Sequence, residues 1–319
     1  MTTAVGLLAF AAVMAVLAPR ALGAGWSARS PRLALAAWLA ASAGVLVSVV
    51  LAGLTLLVPA TAVSQGLAAI LDACAMTIAG VYRSPGQLAA VLTGVALTAG
   101  TLLRLGWVAV GDMRRTRRER HRLHAAIATG ARTEPSLGAA VLDSDRPAAF
   151  CLPGRRRSVV VTTAALDALT GDELAAVLAH ERAHLRGRHH LAAGAVRTLE
   201  RAFPGVPLFT QGRAEVERLV ELLADDAAAR RVDRVEVASA LVTLAGMRAP
   251  AAALPAAQGA GAFRVTRLLR PGAPLGLLAR LSAGFAVVAV VTGPVALAAW
   301  PLADAVASGL CLLPGADWV

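Results

Sequence analysis

Lysine is absent from this chain of 319 residues, so all 31 basic side chains are arginine and they carry the net charge of +11 alone. Charged residues of either sign are scarce at 16%, against 57% hydrophobic residues and a mean hydropathy of +0.65. Such a balance argues against an ordinary soluble enzyme and for membrane spans. Aromatics are only 4% of the chain. The arginine clusters lie beside apolar runs with no aromatics interleaved, which argues against direct nucleic-acid binding and for a membrane surface. Cysteine occurs three times, at Cys74, Cys151 and Cys311, without a Cys-x-x-Cys pair. This excludes a disulfide framework and a thiolate metal site, and Cys151 reads as a small buried apolar residue. Tyrosine occurs once, at Tyr82.

What is plentiful is long apolar sequence. Thr3 to Pro19 is long enough to span and is not followed by an Ala-x-Ala-like cleavage site, so it reads as a retained anchor. Leu33 to Leu57 is a second span, ended by Pro59, and Leu88 to Gly106 a third, with Arg104 near its end able to snorkel. Between them, Leu67 to Tyr82 reads as a short helix lying at the interface. Leu275 to Trp300 is a fourth span, interrupted by Gly293-Pro294.

Arginine density sets the expected orientation. Arg20, Arg29 and Arg32 follow the first span, only Arg83 follows the second, and six arginines crowd Arg114 to Arg122 after the third. Arg264, Arg267, Arg270 and Arg280 precede or open the fourth span, and Asp304 and Asp317 follow it. This places both termini outside the cell and the segment between spans three and four in the cytoplasm. The fold class expected is an α-helical integral membrane protein of four transmembrane helices. It comprises a three-span membrane domain (1–112), a mainly α cytoplasmic domain with a small β-hairpin (113–271), and the fourth helix with a short extracytoplasmic tail (272–319). That tail is too short to fold into an extracytoplasmic sensor domain.

Within the polar segment, Ala148 to Leu152 and Ser158 to Thr163 read as the hairpin. Helices are expected at Arg213–Arg231 and Val235–Met247, and Ala249 to Gly261 reads as a mobile Ala/Pro/Gly linker. The stretch on which function turns is Leu174 to His184, an amphipathic helix carrying His180-Glu181-x-x-His184, opened by a capping box at Thr170-Gly-Asp-Glu173. Histidines four apart share a helical face and can point at one ion, while Glu181 beside the first can take a proton from water.

Catalytic zinc needs a third protein ligand. His190 matches the spacing His-Glu-x-x-His-x-x-Gly-x-x-His, in which glycine turns the chain back towards the ion. Glu221, in Glu221-Leu-Leu-Ala-Asp225 on the following helix, would complete a His-His-Glu site, with Asp225 one turn on able to accept from a ligand histidine. Glu221 is preferred because metzincin catalytic domains face outside, whereas the arginines put this one inside. His189 and His190 otherwise read as cations at a helix C-terminus. With Tyr82 in an outside loop, the oxyanion partner is left to His189, His190 or an arginine.

The four spans, the run Val159 to His184 and the later Glu-x-x-Ala-Asp resemble the BlaR/MecR-type membrane zinc metallopeptidases, gluzincins related to the HtpX/Ste-type peptidases. The resemblance implies a zincin-like domain with one Zn²⁺ held by His180, His184 and Glu221, and Glu181 as the base. It further implies a protein or peptide substrate such as a BlaI/MecI-like cytoplasmic repressor, cut by a multi-pass protein of the bacterial cell membrane. The penicillin-binding sensor domain of the β-lactam sensors has no counterpart here. Membrane-protein quality control and a catalytically inactive signalling scaffold are the alternatives. The strand Ser158–Thr163 is expected to pair with substrate by β-augmentation.

Overall fold

The computed structural model describes residues 2–23, 25–57, 85–154, 158–248 and 255–310. Among the described residues the protein is mostly helical, with a small sheet and four long apolar helices that could cross a membrane. The interfacial helix expected at Leu67–Tyr82 and the end of the C-terminal tail lie outside the described residues.

Helix α1 (Thr2–Leu22) and helix α2 (Pro31–Leu57) form an antiparallel pair. The third apolar helix is built from α3 (Pro85–Val95), a π-helical turn at Ala96–Gly100 and α4 (Thr101–Gly130). The helix Gly86–Ile127, which contains a stretch apolar enough to cross a membrane, runs for 42 residues. At about 1.5 Å per residue that is about twice the thickness of a bilayer core of about 30 Å. The surplus carries the arginine block, so Arg114 to Arg122 continues the apolar helix as an exposed one. Where α2 and α3 cross, a Cβ on Gly53 would lie 2.7 Å from the Gly94 carbonyl oxygen, and one on Gly94 2.9 Å from that of Gly53. Only glycine permits so close an approach, the small-residue packing that holds helices together in lipid.

Strands β1 (Ala131–Glu134), β2 (Ala139–Leu142), β3 (Ala149–Leu152) and β4 (Ser158–Thr162) make one sheet in the order β1-β2-β4-β3. The hairpin pairing of β3 with β4 is antiparallel, with Phe150 opposite Val160. The parallel partner of β4, with Val141 opposite Val161, is β2. The strand expected to receive substrate therefore has no free edge. Its β-branched run Val159-Val160-Val161 is buried at 3% exposure or less, so it serves as the centre of the sheet, and β3 is left at the edge.

After the short α5 (Thr163–Ala168) come α6 (Gly171–Arg186), α7 (His189–Ala202), α8 (Pro207–Ala228) and α9 (Arg234–Arg248). The capping box is formed: Thr170 Oγ1 accepts from the Glu173 backbone and Glu173 Oε2 from the Thr170 backbone. Buried Glu173 also accepts from Ser239 and Thr243 of α9, which ties the start of α6 to the next layer. The linker expected over Ala249–Gly261 is corrected in its second half, where α10 (Pro255–Leu269) begins. Tertiary contacts override composition there: Leu268 and Val265 join the core with Val161, Val177 and Val237, and arginine ion pairs fasten the helix. Helix α11 (Leu277–Leu310) runs through Pro294 and Pro301 rather than being interrupted. Proline is tolerated in apolar spans where neighbours and local adjustment satisfy the freed carbonyls.

A second core joins the first two apolar helices to α7 and α8. Trp38 and Val45 of α2 are buried with Leu199 of α7 and with Leu208, Phe209 and Val216 of α8. A Cβ on Gly212 would meet the Trp38 ring at 3.2 Å. The α7–α8 turn is fixed from α4, whose Arg104 donates to the Ala202 carbonyl, while Asp112 accepts from Thr198 and Arg201. Farther along α8, Arg218 Nη2 donates to Ser27 Oγ at 2.8 Å in the connection between α1 and α2. Glu221 is three residues beyond Arg218, about 4.5 Å of helical rise. The candidate site thus lies about one turn along α8 from the residue that holds the α1–α2 connection.

Candidate metal centre

The i, i+4 spacing on α6 brings His180 Nε2 and His184 Nε2 to 3.0 Å from each other. The Glu221 carboxylate on α8 faces both, with Oε2 3.5 Å from His180 Nε2 and Oε1 3.4 Å from His184 Nε2. Ligands about 2.0–2.1 Å from a tetrahedral zinc ion stand about 3.3 Å apart. The three donors fit one such ion, and two nitrogens with one carboxylate are the donor set of a catalytic zinc site. Among the described residues this is the one group of three His, Cys, Asp or Glu donors that converges. His190 is not in it; it lines the adjoining cavity.

Asp225, fully buried, lies one turn beyond Glu221 and its Oδ1 accepts from His180 Nδ1 at 3.0 Å. That bond fixes the ring so that Nε2 is presented to His184 and Glu221. Burial alone would raise the Asp225 carboxyl, but the bonds from Arg264 and His180 outweigh it and hold it at about 2. Burial likewise opposes a charge on His180, but the bonds to Asp225 and Glu221 bring it to about 9. Without a metal it is a cation between two carboxylates, and an ion taking Nε2 must displace a proton. His184 is pushed down to about 4 by burial and by the His180 charge, so it is neutral. Glu181 is raised by burial, against the pull of His180.

Two contributors, Arg264 and Cys151, escaped the sequence reading, and a third, His189, figures there only as an oxyanion partner or a helix-terminal cation. Arg264 of α10 forks onto Asp225, Nε to Oδ2 at 2.8 Å and Nη2 to Oδ1 at 2.7 Å, while Nη1 lies 2.9 Å from Glu221 Oε2. Cys151 of β3 is half-buried, packs against the core and also lines the cavity, with the Glu181 carboxylate beside its thiol. Burial and the Glu181 charge push that thiol up to about 12. His189 is buried, its Nδ1 2.9 Å from His184 Nδ1. The expectation of cations at a helix C-terminus is corrected. Arg188 takes the left-handed conformation (φ 49°) and starts a new helix, so His189 and His190 open α7. Burial lowers the His189 pKa and favours its neutral form. Its ring packs so close to Gly187 that a Cβ there would lie 2.3 Å from Nε2. The helical spacing of Arg264, Arg267 and Arg270, complementary to Asp225-Asp226, was the available signal for Arg264.

A cavity of about 870 Å³ opens at His184 and Glu221 and runs between α7 and α8 past Ala193 and Ala214. Phe263 and Gly261 of α10 form another wall, and Arg197 and Glu217 supply its exposed charge. The arrangement offers a cation site with a carboxylate neighbour in a cleft large enough for several residues of a peptide.

No curated protein and no solved structure matches this chain. Residues 112–204 match the model of peptidase family M48, a stretch that takes in the sheet, α6 and α7 and stops short of α8. With four apolar helices long enough to cross a membrane, that match supports a membrane-associated metallopeptidase.

Proposed function

We propose that this protein is a membrane-anchored zinc endopeptidase that cuts a cytoplasmic regulatory protein, such as a repressor of the BlaI/MecI kind. The observation that carries the reading is the convergence of His180, His184 and Glu221 at 3.0–3.5 Å. These three would hold the ion. Zinc, when bound, supplies Lewis acidity that brings a water's pKa towards neutrality and polarises the scissile carbonyl. Glu181 takes the water's proton and returns it to the leaving amine, a task suited to a carboxylate whose pKa burial has raised. Asp225 keeps the His180 ring aimed. The free edge of β3, which reaches the cavity at Cys151 and Pro153, receives an extended peptide by main-chain pairing.

Membrane-protein quality control is the second reading, and a specific observation favours it. The cavity descends along α8 towards Ala214, two residues from the Gly212–Trp38 contact with the spans. A segment next to the bilayer could enter from that end. Substrate trapping separates the two: Glu181→Gln in native membranes should retain a soluble regulator on the first reading and an integral membrane protein on the second.

The proposed orientation follows from the arginine asymmetry. Reporter fusions after Arg122 and after Pro271 should report cytoplasm, and fusions after Gln87 and at Val319 the outside. A fusion after Arg122 that reports outside would remove a cytoplasmic substrate from the account.

A further inference from the structure

Two arginines one turn apart on α10 each hold one of two adjacent aspartates on α8. Arg264 forks onto Asp225 and reaches Glu221. Arg267 forks onto Asp226, Nη1 to Oδ1 at 2.8 Å and Nη2 to Oδ2 at 2.9 Å, and its Nε donates to the Ala28 carbonyl at 2.9 Å. Ala28 lies in the connection between α1 and α2, which Arg218 also grips through Ser27. A guanidinium fork on a carboxylate fixes the plane and rotation of both groups, which a lysine ammonium cannot do. Helices α8 and α10 are therefore locked in register at the height of the three donors.

We propose that Arg264 is a positioning residue for the metal centre, and that Arg267 holds α10 in place for it by its bond to the α1–α2 connection. The proposal rests on the zinc reading above. Arg264 acts on His180 through Asp225, because Oδ1 is shared between Arg264 Nη2 and His180 Nδ1. Holding Asp225 still holds the imidazole. Its Nη1 also occupies Glu221 Oε2, which decides the rotation of that carboxylate between the two histidines. Two effects of the guanidinium oppose each other: its charge repels a dication, and its geometry prepares the ligands. The charge is already engaged by two carboxylates, so the geometric effect dominates.

The test uses the full-length protein in detergent, with zinc affinity from chelator competition, the visible spectrum of the cobalt(II) form, and thermal unfolding of the metal-free protein. Arg264→Lys keeps the charge and loses the fork. It should weaken zinc roughly 10–100-fold, as losing a ligand's orienting partner does, and shift the cobalt bands. Unfolding of the metal-free protein should stay close to wild type. Arg267→Gln touches no proposed ligand and should weaken zinc several-fold, so it carries the test if Arg264→Lys misfolds. A wild-type affinity and cobalt spectrum in Arg264→Lys overturn the positioning role, and wild-type affinity in Arg267→Gln overturns the tether. His180→Ala in the same series separates the two failures, since zinc retained there sinks the zinc reading itself.

Discussion

Glu181→Gln is expected to keep its zinc and lose about 10²–10⁴-fold in turnover, the range a positioned general base contributes. The amide is nearly isosteric, and residue 181 is not one of the three converging donors, so the ion should stay. What disappears is the acceptor for the water's proton. At about 1.36 kcal/mol per decade the loss is about 3–5 kcal/mol of transition-state stabilisation. Cleavage of labelled casein by the purified protein, beside zinc analysis of the same sample, reads both quantities. A variant that keeps near-wild-type cleavage removes Glu181 from the mechanism, and one that loses its zinc makes Glu181 part of the metal's surroundings.

Glu221→Ala and His190→Ala are expected to diverge more sharply still. The first removes one of three donors and its negative charge, and leaves Arg264 Nη1 without its partner beside the cation site. Zinc affinity should collapse, by more than the roughly 10–100-fold that losing an orienting partner costs. Asp225→Asn should show that intermediate loss, because it weakens the acceptor for His180 Nδ1 and leaves the donors themselves in place. His190→Ala should leave affinity unchanged, since the ring lines the cavity without joining the converging group. Zinc that survives Glu221→Ala and is lost in His190→Ala would reverse the assignment.

The parts of this site legible in the sequence are those carried by local periodicity. His180 and His184 share a face because they are four apart, and Glu221 and Asp225 are related in the same way. The capping box at Thr170–Glu173 is a four-residue pattern and formed as read. Strand β4 announced itself through its β-branched run, and β3 through Phe150 and the Pro-Gly turn between the two, whereas Ala131-Arg-Thr-Glu of β1 has no apolar alternation to reveal it. Arg264 was hidden for a different reason. Its partners lie 39 and 43 positions earlier. The first half of its own helix is rich in alanine, proline and glycine and reads as linker, and the spacing of its arginines marks a face without naming the partner. Leu208 and Phe209 lie ahead of the helix expected from Arg213, and periodicity cannot say whether an apolar face meets its own domain or an apolar helix of the membrane part. Here it meets Trp38.

The central claim is that His180, His184 and Glu221 form a zinc site, and equilibrium zinc binding by the purified full-length protein tests it most directly. The account predicts one tightly held zinc per chain in the wild type and none in His180→Ala under the same conditions. A wild-type chain that takes up no zinc, or a His180→Ala chain that still holds one, would contradict it.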